Sequence, residues 1–370
     1  MPTIPTPPSP APTPPGLLGR YLIHPGAETA HLAHEIGHAL AVLATHLGPP
    51  ALGIVLMAVV VVAVSRRRAA VAMASGARQV RVLAPPEVDP DGAGVLWSNL
   101  VALLRPAWRR AMGGQPHLGF EITAGPSGLG ISLWVPSTVP PGLVERAVEA
   151  AWPGARTTTT PAVAPLPVGV ATGGELRLAA GDHYPLRTDH RVDPLRPLLG
   201  ALSGLGEHEH VGVQILARPV TGRRLRQLSR AAVHRRNGRP ANRSGRLFDL
   251  FTPGSTTVRA RPVEVDPARS ADVASILDKA AQPCWAVAIR YGVVTDQPGP
   301  AAKAAARGRA HAVASAFAVY AGRNHLDRHR LRHPATALGA RRLGRGDLVS
   351  VAELAALAHL PTDQTVAGLA

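Results

Sequence analysis

Between residues 78 and 163 the spacing of apolar side chains switches repeatedly between the two-residue period of a strand and the 3.6-residue period of a helix. "RQVRVLAPP" begins the series as a strand. "GAGVLWSNLVALLRPAW" follows with Leu96, Leu100, Leu103 and Leu104 at helical spacing. "HLGFEITAG" puts Leu118, Phe120 and Ile122 on one face, and "GLGISLWVPS" does the same with Ile131, Leu133 and Val135, with a Gly-Pro-Ser-Gly turn between the two. Helical spacing returns at Leu143, Val144, Ala147, Val148 and Ala151, and "RTTTTPAV" closes the unit as a strand. The order β-α-β-β-α-β is that of a ferredoxin-like unit, with two helices on one face of an antiparallel sheet.

Residues 174–320 read as a looser second copy. "GELRLAAGDHYPL" is a strand, "DPLRPLLGALSGL" a helix and "HVGVQILARPV" a strand. After an Arg-rich insertion come a helix at "SADVASILDKAAQ", the strand "CWAVAIRYGVV" and a long Ala-rich helix. No clear final strand follows, and the basic run 322–347 reads as an exposed helix end and linker.

Ahead of these units, residues 1–16 are Pro-rich and cannot propagate a helix. From Ala39 to Val64 no formally charged residue occurs, and residues 47–64 are apolar apart from Gly and Pro, which predicts one transmembrane helix. Arg66, Arg67, Arg68, Arg78 and Arg81 follow with no acid among them, so the positive-inside rule predicts a single-pass inner-membrane protein with its C-terminal domains in the cytoplasm. The expected fold class is therefore α+β, an N-terminal transmembrane helix followed by one or two ferredoxin-like domains. The expected divisions are a disordered tail at 1–27, an entry helix and anchor at 28–70, a ferredoxin-like domain at 78–165, a second at 170–322 carrying the Arg-rich insertion 221–246, and a basic linker with a short C-terminal helix at 323–370.

The balance of 40 Lys and Arg against 24 Asp and Glu favours an anionic partner, either nucleic acid or membrane lipid. Only Lys279 and Lys303 are lysines, a bias that fits a GC-rich genome as well as a function. The densest basic stretch, residues 221–246, holds Arg223, Arg224, Arg226, Arg230, Arg235, Arg236, Arg239, Arg243 and Arg246 with no acid. These are the candidate contacts to phosphates or lipid headgroups. No aromatic interrupts them before Phe248, so base stacking is not indicated.

A single cysteine, Cys284, excludes an intramolecular disulfide and a multi-cysteine zinc site, and its strand-like surroundings mark it as a core thiol. His34, Glu35 and His38 form an HExxH pattern, in which two histidines on one helix face can bind Zn²⁺ and the glutamate can act as general base. No third ligand follows before the apolar run, so the three read as part of a polar stripe on the entry helix, with a membrane zinc protease as the alternative. "GEHEHVG" at 206–212 also offers metal-binding side chains, but consecutive residues point in different directions, and a solvated turn is expected.

Neither lysine directly follows a Gly-rich turn, so the chain has no Walker A motif and is not a P-loop ATPase by itself. Yet "PPEVDP" (Pro85–Pro90), "LGISLWVP" (Leu129–Pro136), "AAWPGA" (Ala150–Ala155) and "ELAALAHLP" (Glu353–Pro361) resemble the pre-motor region of membrane-anchored HerA-like coupling ATPases of type IV secretion and conjugative DNA transfer, over about residues 40–365. The resemblance implies a non-catalytic, membrane-proximal scaffold. Its partners would be membrane lipid, copies of itself or a separate motor ATPase, and possibly DNA. It implies no cofactor in this chain, with ATP entering only through a motor domain that is severed or encoded separately. A stand-alone basic DNA-binding protein is the further alternative.

Overall fold

Two strands in the middle of the chain are apolar along almost their whole length, which suits strands covered on both faces. These are β6 (Glu209–Val220) and β7 (Cys284–Thr295), paired antiparallel over twelve residues from Glu209↔Thr295 to Val220↔Cys284. Around them, in a computed structural model that describes residues 53–69, 71–236, 267–297 and 299–362, a nine-stranded sheet is built.

The remaining strands are β1 (Arg78–Leu83), β2 (Leu118–Gly125), β3 (Gly128–Val135), β4 (Arg156–Pro161), β5 (Val170–Leu178), β8 (Leu326–Arg330) and β9 (Asp347–Ser350). Their order is β4-β1-β3-β2-β6-β7-β5-β8, every pairing is antiparallel, and β9 pairs with β7 beyond the end of β5. Counted within itself, each half of the sheet has the same order, and the halves meet where β2 pairs with β6.

The expected one or two ferredoxin-like domains behind a membrane anchor are therefore corrected to one α+β domain with one continuous sheet. A single core runs through both halves, from Val80, Phe120 and Leu133 to Ile215, Ile289 and Val313. The separation expected near residue 165 does not occur because the strand faces on both sides of the β2·β6 seam lie under one layer of helices.

That layer comprises α1 (Gly92–Asn99), the 3₁₀ turn Leu100–Leu103, α2 (Ala107–Gly113) and α3 (Leu143–Ala151) over the first half. Over the second half it comprises α4 (Arg196–Leu202), α7 (Pro300–Ala316) and the 3₁₀ turn Phe317–Tyr320, while α5 (Arg223–Arg236), α6 (Pro267–Ala281), α8 (Pro334–Ala340) and α9 (Val351–Leu357) complete the domain. Contact between α1 and α3 brings the "PPEVDP" and "AAWPGA" stretches together. Trp152 donates its indole N–H to the Asp89 carbonyl at 3.0 Å. A Cβ at Gly92 would lie 2.3 Å from that indole nitrogen, so only glycine fits there.

The "ELAALAHLP" stretch is likewise a packing element. Ser350 and Glu353 form a capping box at the start of α9. Buried Glu353 also pairs with Lys279 at 3.0 Å and accepts the Leu186 amide at 2.7 Å. Trp97 in α1 donates to the Ala358 carbonyl at 2.8 Å, tying the end of the sequence to the first half.

Residues 322–347, expected as a linker, instead supply β8, α8 and the start of β9. β8 is hard to read because "LDRHR" is an edge strand exposed on nearly every residue, so it has no alternation. Charge on an edge strand discourages pairing with another chain.

The predicted membrane anchor is also corrected. Among the described residues no helix is long and apolar enough to cross a membrane. Residues 47–52 of the expected span lie outside the described residues. The helix at 53–69 is apolar only from Gly53 to Val64, about 18 Å at 1.5 Å per residue against a hydrocarbon core of about 30 Å, before it reaches Ser65 and Arg66–Arg68. The single-pass topology and inner-membrane localisation inferred from that anchor fall with it. The chain divides into two units, 1–66 and 67–370, and the sheet belongs to the second.

At the seam, Glu121 of β2 lies opposite Gln214 of β6, both fully buried. Arg341 donates to both carboxylate oxygens of Glu121, Nε at 2.7 Å and Nη2 at 3.0 Å, while Gln214 donates to Oε1 at 2.8 Å. Arg341 adopts a left-handed φ of 46° to present this fork, and its carbonyl accepts from His117 Nε2 at 2.7 Å. Burial, the leading cause, pushes the His117 imidazole down to about 4, so at neutral pH it is an uncharged donor. Removing either ion strands the other. Glu121→Ala and Arg341→Ala should each cost about 3–5 kcal/mol in urea unfolding. A double change to apolar residues should cost less than the sum of the two.

Candidate functional site

The Arg-rich helix α5 packs against α6 and faces β5, β7 and the Gly-rich loop 344–348 across an open cleft of about 950 Å³. Its buried side is short, Leu228, Ala231 and Ala232, so the long cationic side chains are left on the remaining faces. Arg224 and Arg230 reach the cleft from α5, Arg177 from β5, Arg290 from β7 and Arg345 from the loop, with His183 and His234 beside them. Three carboxylates, Glu175, Asp182 and Asp347, oppose these five arginines.

Much of this charge holds the protein together. Arg224 donates to Asp182 at 2.9 Å and to the carbonyls of Arg345 and Gly346 at 2.9 and 2.6 Å. Arg290 donates to the Arg342 carbonyl at 2.7 Å, and Arg218 to that of Gly344 at 3.0 Å. Burial lowers both the Arg290 and the Arg218 guanidinium from the ordinary arginine value. The same cause raises Asp347, whose carboxylate accepts the Leu178 amide at 2.9 Å. What remains for a ligand is the exposed rim: Arg230, Arg177 with its side chain 54 % exposed, and Arg345 with 77 %.

Of the arginines expected from the sequence, Arg224 and Arg230 line the cleft. Arg223, Arg226 and Arg236 are exposed on α5, and Arg235 pairs with Asp272 at 2.7 Å. Arg239, Arg243 and Arg246 lie outside the described residues, as do His34, Glu35 and His38. Among the described residues no group of three or more His, Cys, Asp or Glu side chains is placed to hold a metal ion. In "GEHEHVG", His208 pairs with Asp296 at 2.9 Å and Glu209 with Arg309 at 3.5 Å. Cys284 is buried at the start of β7, and burial pushes its thiol up to about 11.

The family described as Domain of unknown function (DUF8128) matches residues 72–367, which run from just before β1 to beyond α9. The chain belongs to the DUF8128 family. No curated protein matches it.

Sequence reasoning missed three cleft residues of this DUF8128 domain: Arg177, Arg290 and Arg345. Arg290 had a signal, a lone charge inside "CWAVAIRYGVV". Such a residue needs a polar outlet from the sheet. Arg345 lay in the run read as linker. Asp182 binds the two walls of the cleft, taking the Leu348 amide on Oδ1 at 3.1 Å and Arg224 on Oδ2. Asp182→Ala should therefore lower stability by about 1–3 kcal/mol. Hydrogen exchange should speed up at Leu348 with little change at Phe120.

Proposed function

We propose that this chain is a scaffold of a type IV secretion or conjugative DNA-transfer system and that its basic cleft holds DNA by the phosphates. The observation that carries the reading is the cleft rim, where Arg177, Arg230 and Arg345 converge from a strand, a helix and a loop around a space wide enough for a nucleic-acid backbone. Guanidinium forks match phosphate oxygens, and a rim whose inner arginines are already fixed by carbonyls keeps its outer ones in place. The sequence resemblance supports the choice of apparatus. ATP hydrolysis in this reading belongs to a separate motor subunit, since neither lysine of this chain sits in a phosphate loop.

The contact is electrostatic and reads no sequence, because the cleft arginines approach as a rim and no aromatic lines it. Fluorescence anisotropy of the full chain with labelled DNA tests the proposal. With about four phosphates neutralised, affinity should fall about a hundredfold between about 50 and about 200 mM salt. Arg230→Glu combined with Arg345→Glu should weaken binding about tenfold or more and flatten the salt dependence. Binding that ignores both changes would remove the cleft from the mechanism.

A further inference from the structure

A second concavity of about 380 Å³ lies at the β8 edge of the sheet, beneath α7. Its walls are Thr172 and Gly173 of β5, Arg328 and Arg330 of β8, and Arg307 and His311 of α7. Residues two apart on a strand share a face, so Arg328 and Arg330, paired in register with Leu176 and Gly174, point to the side that α7 covers. Glu175 and Arg177 alternate to the other side, so the DNA cleft is across the sheet from this pocket.

Four features make it a receptor for a compact oxyanion. First, none of its three arginines pairs with a carboxylate among the described residues, unlike Arg177, Arg224 and Arg235. The acid on β8, Asp327, lies on the alternate face and pairs with His325. Second, Arg328 Nη1 lies 2.9 Å from His311 Nδ1. A guanidinium only donates, so Nδ1 accepts and the ring proton sits on Nε2, leaving a further N–H donor. Third, the contact with His311 orients Arg328 over the Tyr291 ring, 5.7 Å from its centroid.

Fourth, Tyr291 itself is fully buried, and its hydroxyl makes no hydrogen bond within the protein although Arg328 is beside it. The hydroxyl lies over Gly174, where a Cβ would be 2.6 Å from it, next to the strand residues that line the pocket. A buried hydroxyl without a partner is costly unless something else supplies one.

We propose that this pocket binds a single phosphate group, with Arg307, Arg328 and Arg330 supplying charge and the Tyr291 and Thr172 hydroxyls and His311 Nε2–H supplying directed donors. The group is either free inorganic phosphate or the 5′-phosphate of a nucleotide. It is a separate site from the DNA cleft and stands or falls independently of it.

The test is titration of the full chain with inorganic phosphate by calorimetry, then with a nucleoside 5′-monophosphate and the matching nucleoside. One saturable site with Kd of about 1 mM or tighter is expected. Exposed Arg330→Ala should weaken it about tenfold without affecting folding, and Tyr291→Phe should weaken it severalfold while leaving DNA binding unchanged. Tighter binding of the nucleotide with none of the nucleoside would support a nucleotide-borne phosphate, and equal binding would support free phosphate. Absence of saturable binding by either phosphate, or binding that survives Arg328→Ala with Arg330→Ala, would overturn the proposal.

Discussion

A carboxylate and a guanidinium buried together at the β2·β6 seam set the terms for the rest of this molecule. Glu121 has no water to turn to, so Arg341 must reach it, and to do so the segment after α8 takes a left-handed backbone and brings residues 341–348 back along the sheet. Gln214, opposite Glu121, fixes the register in which the halves join, because a shift of one residue would move it to the other face. Buried pairs of this kind add little net stability over apolar packing, but they penalise alternatives heavily. Two half-sheets with matching internal order could pair in other registers, and the ion pair selects one.

The returning segment explains how the protein uses its arginines. Arg218, Arg224 and Arg290 donate to carbonyls of the loop between α8 and β9, a backbone with few regular partners of its own. Net positive charge is thus partly structural. The functional part is what projects past those bonds: the rim of the cleft on one face and the α7–β8 pocket on the other. A count of basic residues along the chain cannot separate the two uses, but hydrogen-bond partners can.

Legibility followed burial. The strands and helices between 78 and 161 could be read from the sequence because each has one buried and one open face, so periodicity is clear, and Leu96, Phe120, Ile131 and Val148 all occupy the core. β8 was missed because an edge strand made of Asp, Arg and His has no apolar face. The joining of the halves was missed because β2 and β6 read equally well as members of separate sheets, and the deciding residues, Glu121 and Arg341, are 220 positions apart. The apolar run before Arg66 was read from hydropathy, whereas its described helix is too short to span a bilayer. As for the candidate site, α5 supplied part of the cleft from its Arg density. Arg177, Arg290 and Arg345 come from three other elements, and only the folded sheet gathers them. The stretches that carry the family resemblance turn out to be packing contacts, Trp152 on Asp89 and Glu353 on Lys279, so they mark the fold more directly than its chemistry.

The central claim is that one sheet, locked at the β2·β6 seam, makes the two halves a single cooperative unit. Native-state hydrogen exchange across a denaturant series measures this directly, with amides of β1 and β3 reporting on one half and those of β5 and β7 on the other. The account predicts that the most protected amides in both halves open with one common free energy, equal to that of global unfolding, and that Phe120 and Ile215 at the seam belong to the same class. Two distinct opening energies, with the seam amides following the weaker half, would contradict it.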